Sequence, residues 1–193
     1  MVEENLFSNR FDAVADKLFV ERWSPRSFSS DPVPEKDLKK IIDAGRWSPS
    51  TSNEQPWLFF TASREISKFQ QFVSCLNEGN QVWAKNSGVI GFIIARKFFK
   101  NKPRENLLAD FDCGAAWMAL TIQARLLGYY THGMGGINRN QVEKVLNLEP
   151  EKEKVLMGFA LGTRGNLELL PSELANKENP SSREDLRDIW KVL

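Results

Sequence analysis

Gly88-Val89-Ile90-Gly91-Phe92-Ile93-Ile94-Ala95 contains no polar side chain and is rich in β-branched residues. A strand with one face in water alternates polar and apolar residues, so this unbroken run predicts a strand buried on both faces. Its neighbours along the chain supply the covering layers. Upstream, Trp57-Leu58-Phe59-Phe60 reads as another buried strand, and Ile66, Phe69, Val73 and Leu76 mark a helix. Downstream, a basic loop from Arg96 to Arg104 leads into the longest predicted helix, about 107–127. Cys113, Ala116, Leu120, Ala124 and Leu127 lie on one of its sides, and its small residues permit close helix packing. A short strand at 129–131, a helix carrying Val142, Val145 and Leu146, and a strand over 155–161 continue the alternation, so the class is mixed α and β.

Further out, Phe11, Val14 and Leu18 recur at helical steps, which predicts a first helix from Phe7 towards Arg22. Asp31-Pro32-Val33-Pro34 opens a second helix with Leu38, Ile41 and Ile42 as its buried stripe, ending near Ser48-Pro49. From Gly162 to Pro180 the chain is polar with little periodicity. Ser181-Ser182-Arg183-Glu184 then resembles a capping box leading into a last helix with Leu186, Ile189 and Trp190. A long arm that ends in a helix suits packing across a partner.

With 193 residues, 41% of them hydrophobic, and no internal repeat or linker, a single domain over 1–193 is expected. A net charge of +1 gives no overall field towards nucleic acid or anionic lipid. Cys75 and Cys113 sit in apolar helical patterns without nearby metal-ligand spacing and read as reduced core thiols. The amino terminus lacks the order of a signal peptide and no apolar run spans a membrane, so a cytoplasmic protein is expected. No GxGxxG, phosphate-loop, GxSxG or metal-cluster motif occurs, and the single His132 reads as a structural residue.

Two polar segments between elements carry the chemistry. In Glu21-Arg22-Trp23-Ser24-Pro25-Arg26-Ser27-Phe28, two guanidinium groups and a hydroxyl can converge on a phosphate through charge-assisted bonds. The competing reading is a solvated helix terminus whose basic residues complement the dipole. In Trp47-Ser48-Pro49-Ser50-Thr51-Ser52-Asn53-Glu54-Gln55-Pro56-Trp57, Ser50, Asn53 and Gln55 offer neutral donors and acceptors to a polar heterocycle, or else build an ordinary capping turn.

Together with Ala44-Gly45-Arg46, these segments resemble the amino-terminal signature of the nitroreductase family. Asp112-Cys113-Gly114-Ala115-Ala116, Gly128, Met134-Gly135-Gly136-Ile137, Phe159-Ala160-Leu161-Gly162 and Ser182-Arg183-Glu184-Asp185-Leu186 are similar to its later parts. The resemblance implies an α+β fold with a central, mainly antiparallel sheet flanked by helices, in an intertwined homodimer that holds FMN at its interface. The arm at about 162–193 would pack on the partner subunit. By the family's pattern, Arg22, Ser24, Arg26 and Arg183 bind the ribityl phosphate, with Trp23 in place of a usual basic or polar residue and contributing through its backbone at most. Pro49, Ser50, Asn53 and Gln55 belong to the flavin-edge loop, with Ser50 reaching over from the other subunit. Met134, Gly135 and Gly136 form the turn near the ring, and Asn80 is either a flavin neighbour or a turn residue.

The implied activity is ping-pong transfer of electrons from NADH or NADPH, through FMN, to a nitroaromatic, quinone or similar small acceptor, with no catalytic side chain required. Alternatives are another reductive or flavin-modifying reaction on the same fold, or a regulatory dimer without turnover.

Overall fold

The computed structural model describes residues 6–193. Its strands are β1 (Trp57–Ser63), β2 (Val89–Arg96), β3 (Tyr130–Met134) and β4 (Glu153–Gly162). They form one sheet in the order β1-β2-β4-β3, antiparallel at every pairing, as expected of a mainly antiparallel core. The helices are α1 (Lys17–Val20), α2 (Glu35–Arg46), α3 (Lys68–Ser74), α4 (Glu78–Ala84), α5 (Ala109–Leu126), α6 (Arg139–Leu146), α7 (Ser172–Ala175) and α8 (Leu186–Ile189).

β2 is central, and its alternating side chains enter two separate cores. Ile90, Phe92 and Ile94 join Phe69, Phe72 and Trp83 on the face covered by α3 and α4. Val89, Ile93 and Ala95 join Ile41, Cys113, Ala116 and Leu120 on the face covered by α2 and α5. Two apolar faces explain the absence of polar alternation in this segment, and each large side chain so buried contributes about 1.5–3 kcal/mol. Gly91 pairs with Phe159, and a Cβ there would lie 2.3 Å from the Phe159 ring, so only glycine lets that ring lie across the strand.

The amino-terminal expectation fails. Instead of a helix from Phe7 to Arg22 there is a single 3-10 turn at Ser8–Arg10 and then α1. Asp16 takes an extended conformation and its side chain accepts the Leu18 N–H, starting a new helix where the old one should continue. Phe11 and Val14, 89% and 90% exposed, pack on nothing in their own chain that would hold a longer helix. At the other end, Asp185 rather than the Ser181 group caps α8, which is one turn long and leaves Leu186, Ile189 and Trp190 exposed. α4 was not anticipated: Asn80 could be read as a turn residue, yet it lies in a helix whose Trp83 and Ala84 are buried.

The arm beyond β4 is less independent than its composition suggests. Leu170 is buried in the first core, Leu174 and Ala175 pack against it, and Glu178 is 2% exposed. Residues after Pro180 are exposed throughout.

Candidate functional site

Arg22-Trp23-Ser24-Pro25-Arg26-Ser27 leaves α1 without helix or strand, and its residues alternate in burial. Trp23, Pro25 and Ser27 are buried, whereas Arg22, Ser24 and Arg26 are partly exposed. Phe28 anchors the segment, fully buried and stacked on Trp83 at 6.1 Å between ring centroids. The three outward residues line a cavity of about 570 Å³ whose other walls are Arg10, Trp23, His132, Leu174, Lys177, Asn179, Ser181 and Arg183. Four arginines and a lysine thus surround one space, and no carboxylate is among its lining residues.

Repulsion within this group is visible in its ionisation. The Arg22 guanidinium is held below its ordinary pKa by burial and then by the charge of Arg183; Arg10 is lowered by burial, Arg183 and Arg22. The distant Arg183 therefore does meet Arg22 within a single chain. Arg22 Nη1 donates to Ser24 Oγ at 3.3 Å, fixing that hydroxyl at the cavity edge. Trp23 is a core residue that also borders the cavity, and its ring lies under Arg164, whose guanidinium carbon is 5.3 Å from the ring centroid.

Several residues here had no sequence signal. Glu178 Oε1 accepts the Arg26 N–H at 2.6 Å, the Ser27 N–H at 2.7 Å and the Ser27 hydroxyl at 3.0 Å. The arm thereby clamps the backbone of the segment so that the Arg26 side chain faces the cavity. His132, on β3, lies 3.0 Å through Nδ1 from Pro25 O and packs on Trp83 at 4.5 Å between ring centroids. Burial pushes its pKa below the usual imidazole range, opposed by the Pro25 carbonyl, so a neutral ring donating Nδ1–H to that carbonyl fits the site. The sequence marked the arm only as polar with little periodicity, and polarity alone does not single out a clamp.

The Pro49–Gln55 loop is a compact unit elsewhere. Ser50 Oγ accepts the Gln55 N–H at 2.9 Å, Gln55 Nε2 donates to Asn53 O at 3.1 Å, and the Thr51 N–H donates to the buried Asp112 at 3.0 Å. Ser52, Asn53 and Gln55 all have positive φ, near 50°, a conformation that costs side-chain-bearing residues about 1–2 kcal/mol each. Pro49 and Asn53 are exposed at its surface.

The sheet register shows how far this loop lies from the cavity. His132 pairs with Ala160, which pairs with Ile90; Pro56 O accepts from Arg96 N, and Trp57 pairs with Ala95 at the opposite end of β2. The stretch of β2 from Ile90 to Ala95 spans roughly 16 Å. One chain therefore does not bring the two predicted segments together.

The glycine turn follows β3. Gly136 O accepts from Asn77 N at 3.0 Å and Asn80 Nδ2 at 2.9 Å, and a Cβ on Gly136 would lie 2.9 Å from that Nδ2. Asn80 thus holds the turn in place from α4. Gly135 is exposed with open space at its Cβ position, whereas the Met134 side chain is in the core and leaves only its backbone for a ligand. Among the described residues no group of His, Cys, Asp and Glu could hold a metal ion, and no helix is long and apolar enough to cross a membrane.

A helix-flanked antiparallel sheet bearing a cationic cavity at one end and a neutral polar loop at the other defines a class of α+β protein. The chain belongs to the nitroreductase family, whose sequence pattern matches residues 19–89 and 70–163. Among solved structures, an oxidoreductase containing FMN superposes with a TM-score of 0.91 at 40% identity, covering 97% of this chain and 96% of the other. A CLA biosynthesis enone reductase from Lactiplantibacillus plantarum is 25% identical over 82% of this chain and 88% of its own length. A provisionally named NADH dehydrogenase/NAD(P)H nitroreductase of Archaeoglobus fulgidus is 25% identical over 67% of this chain and 72% of its own.

Proposed function

We propose that this protein is an FMN-dependent oxidoreductase that passes electrons from NADH or NADPH by a ping-pong mechanism to nitroaromatic, quinone or similar acceptors, as a cytoplasmic homodimer. The observation that carries the reading is the cavity lined by arginine and lysine without a carboxylate. Such a cavity is complementary to a dianion, and charge-assisted bonds from Arg22, Arg26 and Arg183, with Ser24 as a neutral donor, suit the phosphate of FMN. About 570 Å³ is enough for a phosphate and polyol chain, and the ring would extend beyond it.

The ring's polar edge needs neutral partners. The Ser50–Gln55 loop offers them, and its separation from the cavity within one chain favours a loop donated by a second copy. Gly135, exposed and with open space where a side chain would stand, would let the turn backbone approach the ring, while Gly136 makes room for Asn80, which keeps the turn in place. When bound, FMN supplies the redox chemistry, while this chain orients it, excludes water from one face and leaves the other open to donor and acceptor in turn.

The dimer is supported by apolar surface. Phe111 and Met118, 75% and 38% exposed, share a face of α5 whose opposite side is core, and Leu107, 83% exposed, lies in the turn just before the helix. Phe11, Val14 and Phe19 line an apolar groove with Leu186 and Ile189. A surface this apolar suits an extensive interface in which the residues beyond Pro180 pack on the partner.

A second reading keeps FMN but reduces an activated carbon–carbon double bond, a reaction named for the Lactiplantibacillus relative. Visible spectra of the purified protein with FMN before and after NADPH test the flavin reading, which fails if no FMN binds at micromolar concentration. Steady-state NADPH oxidation with a nitroaromatic, a quinone or an enone then separates the acceptors, and parallel double-reciprocal plots are expected for ping-pong turnover.

A further inference from the structure

Arg10 lies outside the polar segments discussed above, yet it is the cavity arginine most removed from water, at 9% exposure. It stands where three parts of the chain meet. Its Nε donates to Ser181 O at 3.0 Å, and its Nη1 donates to Val20 O and, at 3.2 Å, to Arg22 O. Nη2 is buried and has no hydrogen-bond partner among the described residues. The charges that act on it, Arg183 and Arg22, have its own sign.

Carbonyl oxygens satisfy donors but do not neutralise a charge. A guanidinium used only to tie three segments together gains nothing from two like charges beside it and a spare buried donor, and is costly without a counter-ion. An anion in the cavity supplies what is missing. We propose that Arg10 is a further anion-binding residue of the flavin site: it completes the cationic shell of the cofactor's phosphate and couples phosphate binding to docking of the carboxy-terminal arm at Ser181. The identity of the anion rests on the flavin reading. The coupling follows from the bonds themselves, because one rigid fork holds the backbone of the Arg22 segment and of the arm that carries Arg183.

The two possible roles give opposite signs in the apoprotein. A strut alone stabilises it, whereas for a charge awaiting its counter-ion the repulsion from Arg22 and Arg183 and the unpaired buried donor offset what the backbone bonds contribute. For Arg10→Gln, the expected result is a thermal midpoint of the apoprotein equal to or above that of the parent. FMN affinity should fall roughly 10- to 100-fold, as for loss of one charged hydrogen bond, while affinity for riboflavin, which lacks the phosphate, stays within about twofold. Arg10→Lys should recover part of the FMN affinity. A lower apoprotein midpoint with equal losses for FMN and riboflavin overturns the proposal in favour of a strut, and unchanged FMN affinity overturns it outright. Should Arg10→Gln not fold, Arg10→Lys decides by the same comparison. A parent protein that binds no FMN refutes the flavin reading separately. Inorganic phosphate then serves as probe: raising the midpoint of the parent more than that of the variant supports the role of Arg10, and an equal effect on both overturns it.

Discussion

Replacing Glu178 by alanine tests whether the arm holds the segment proposed to bind phosphate. The carboxylate accepts three hydrogen bonds through Oε1, from Arg26 N, Ser27 N and Ser27 Oγ, and Ser27 and Glu178 are 0% and 2% exposed. Water cannot reach the Ser27 donors as the side chain leaves, and each buried donor left unpaired costs about 1–3 kcal/mol. Oε2 is itself buried without a partner, so its removal offsets part of that loss. The balance is destabilising by about 3 kcal/mol, which for a chain of this size lowers the thermal midpoint by roughly 6–12 °C. Glu178→Gln keeps an amide oxygen for the same donors and should lose less than half as much. Thermal unfolding of the apoproteins, followed by circular dichroism, measures both, and FMN titrations should show weaker binding in the alanine variant once the Arg26 backbone is released. An alanine variant melting within about 2 °C of the parent would refute the clamp.

Three other perturbations probe separate parts of the structure. Gly91→Ala drives a Cβ to 2.3 Å from the Phe159 ring, which is fully buried and has nowhere to move, so urea unfolding should show a loss of about 1–3 kcal/mol or more. The Cys113 thiol is pushed up to about 12 by burial and by the charges of Asp110 and Asp112, so the folded state holds its proton where the unfolded chain, with an ordinary pKa near 9.0, releases it. Stability from this group is therefore complete below pH 9 and declines as pH rises towards 12, with a slope of at most about 1.4 kcal/mol per pH unit that Cys113→Ala should remove; the native thiol should also resist alkylation at pH 8. Phe111→Glu places a charge on the exposed apolar face of α5, and sedimentation should show a shift from dimer towards monomer without loss of the monomer's helical content.

What could be read from the sequence follows the range of the interactions involved. The alternation of Ile90, Phe92 and Ile94 with Val89, Ile93 and Ala95 is local, and a segment apolar on both faces has few places to go except the middle of a layered fold. Ile41, Cys113, Ala116 and Leu120 were legible for the same reason: helical spacing puts them on one stripe. The convergence of Arg22, Ser24 and Arg26 on one space was likewise legible in their types and close spacing.

The same periodicity misled where no surface waited to receive it. Phe11, Val14 and Leu18 have helical spacing, yet the spacing cannot say whether a chain of the same molecule covers them, and Asp16 breaks the run by capping from its side chain. The site shows the limit most clearly. Arg22 and Arg26 announced a basic group by their types and spacing, whereas Lys177 and His132 look ordinary in sequence and join the cavity, and Glu178 clamps the backbone beside it, only because β3 and the arm return to the segment from more than a hundred residues away. Residue chemistry and short-range pattern are properties of the linear chain and determined the class, the strands and the half of the site that is contiguous. The path of the arm, the burial of Glu178 and the gathering of like charges around one space depend on the summed packing of both cores, and only the tertiary structure decided them.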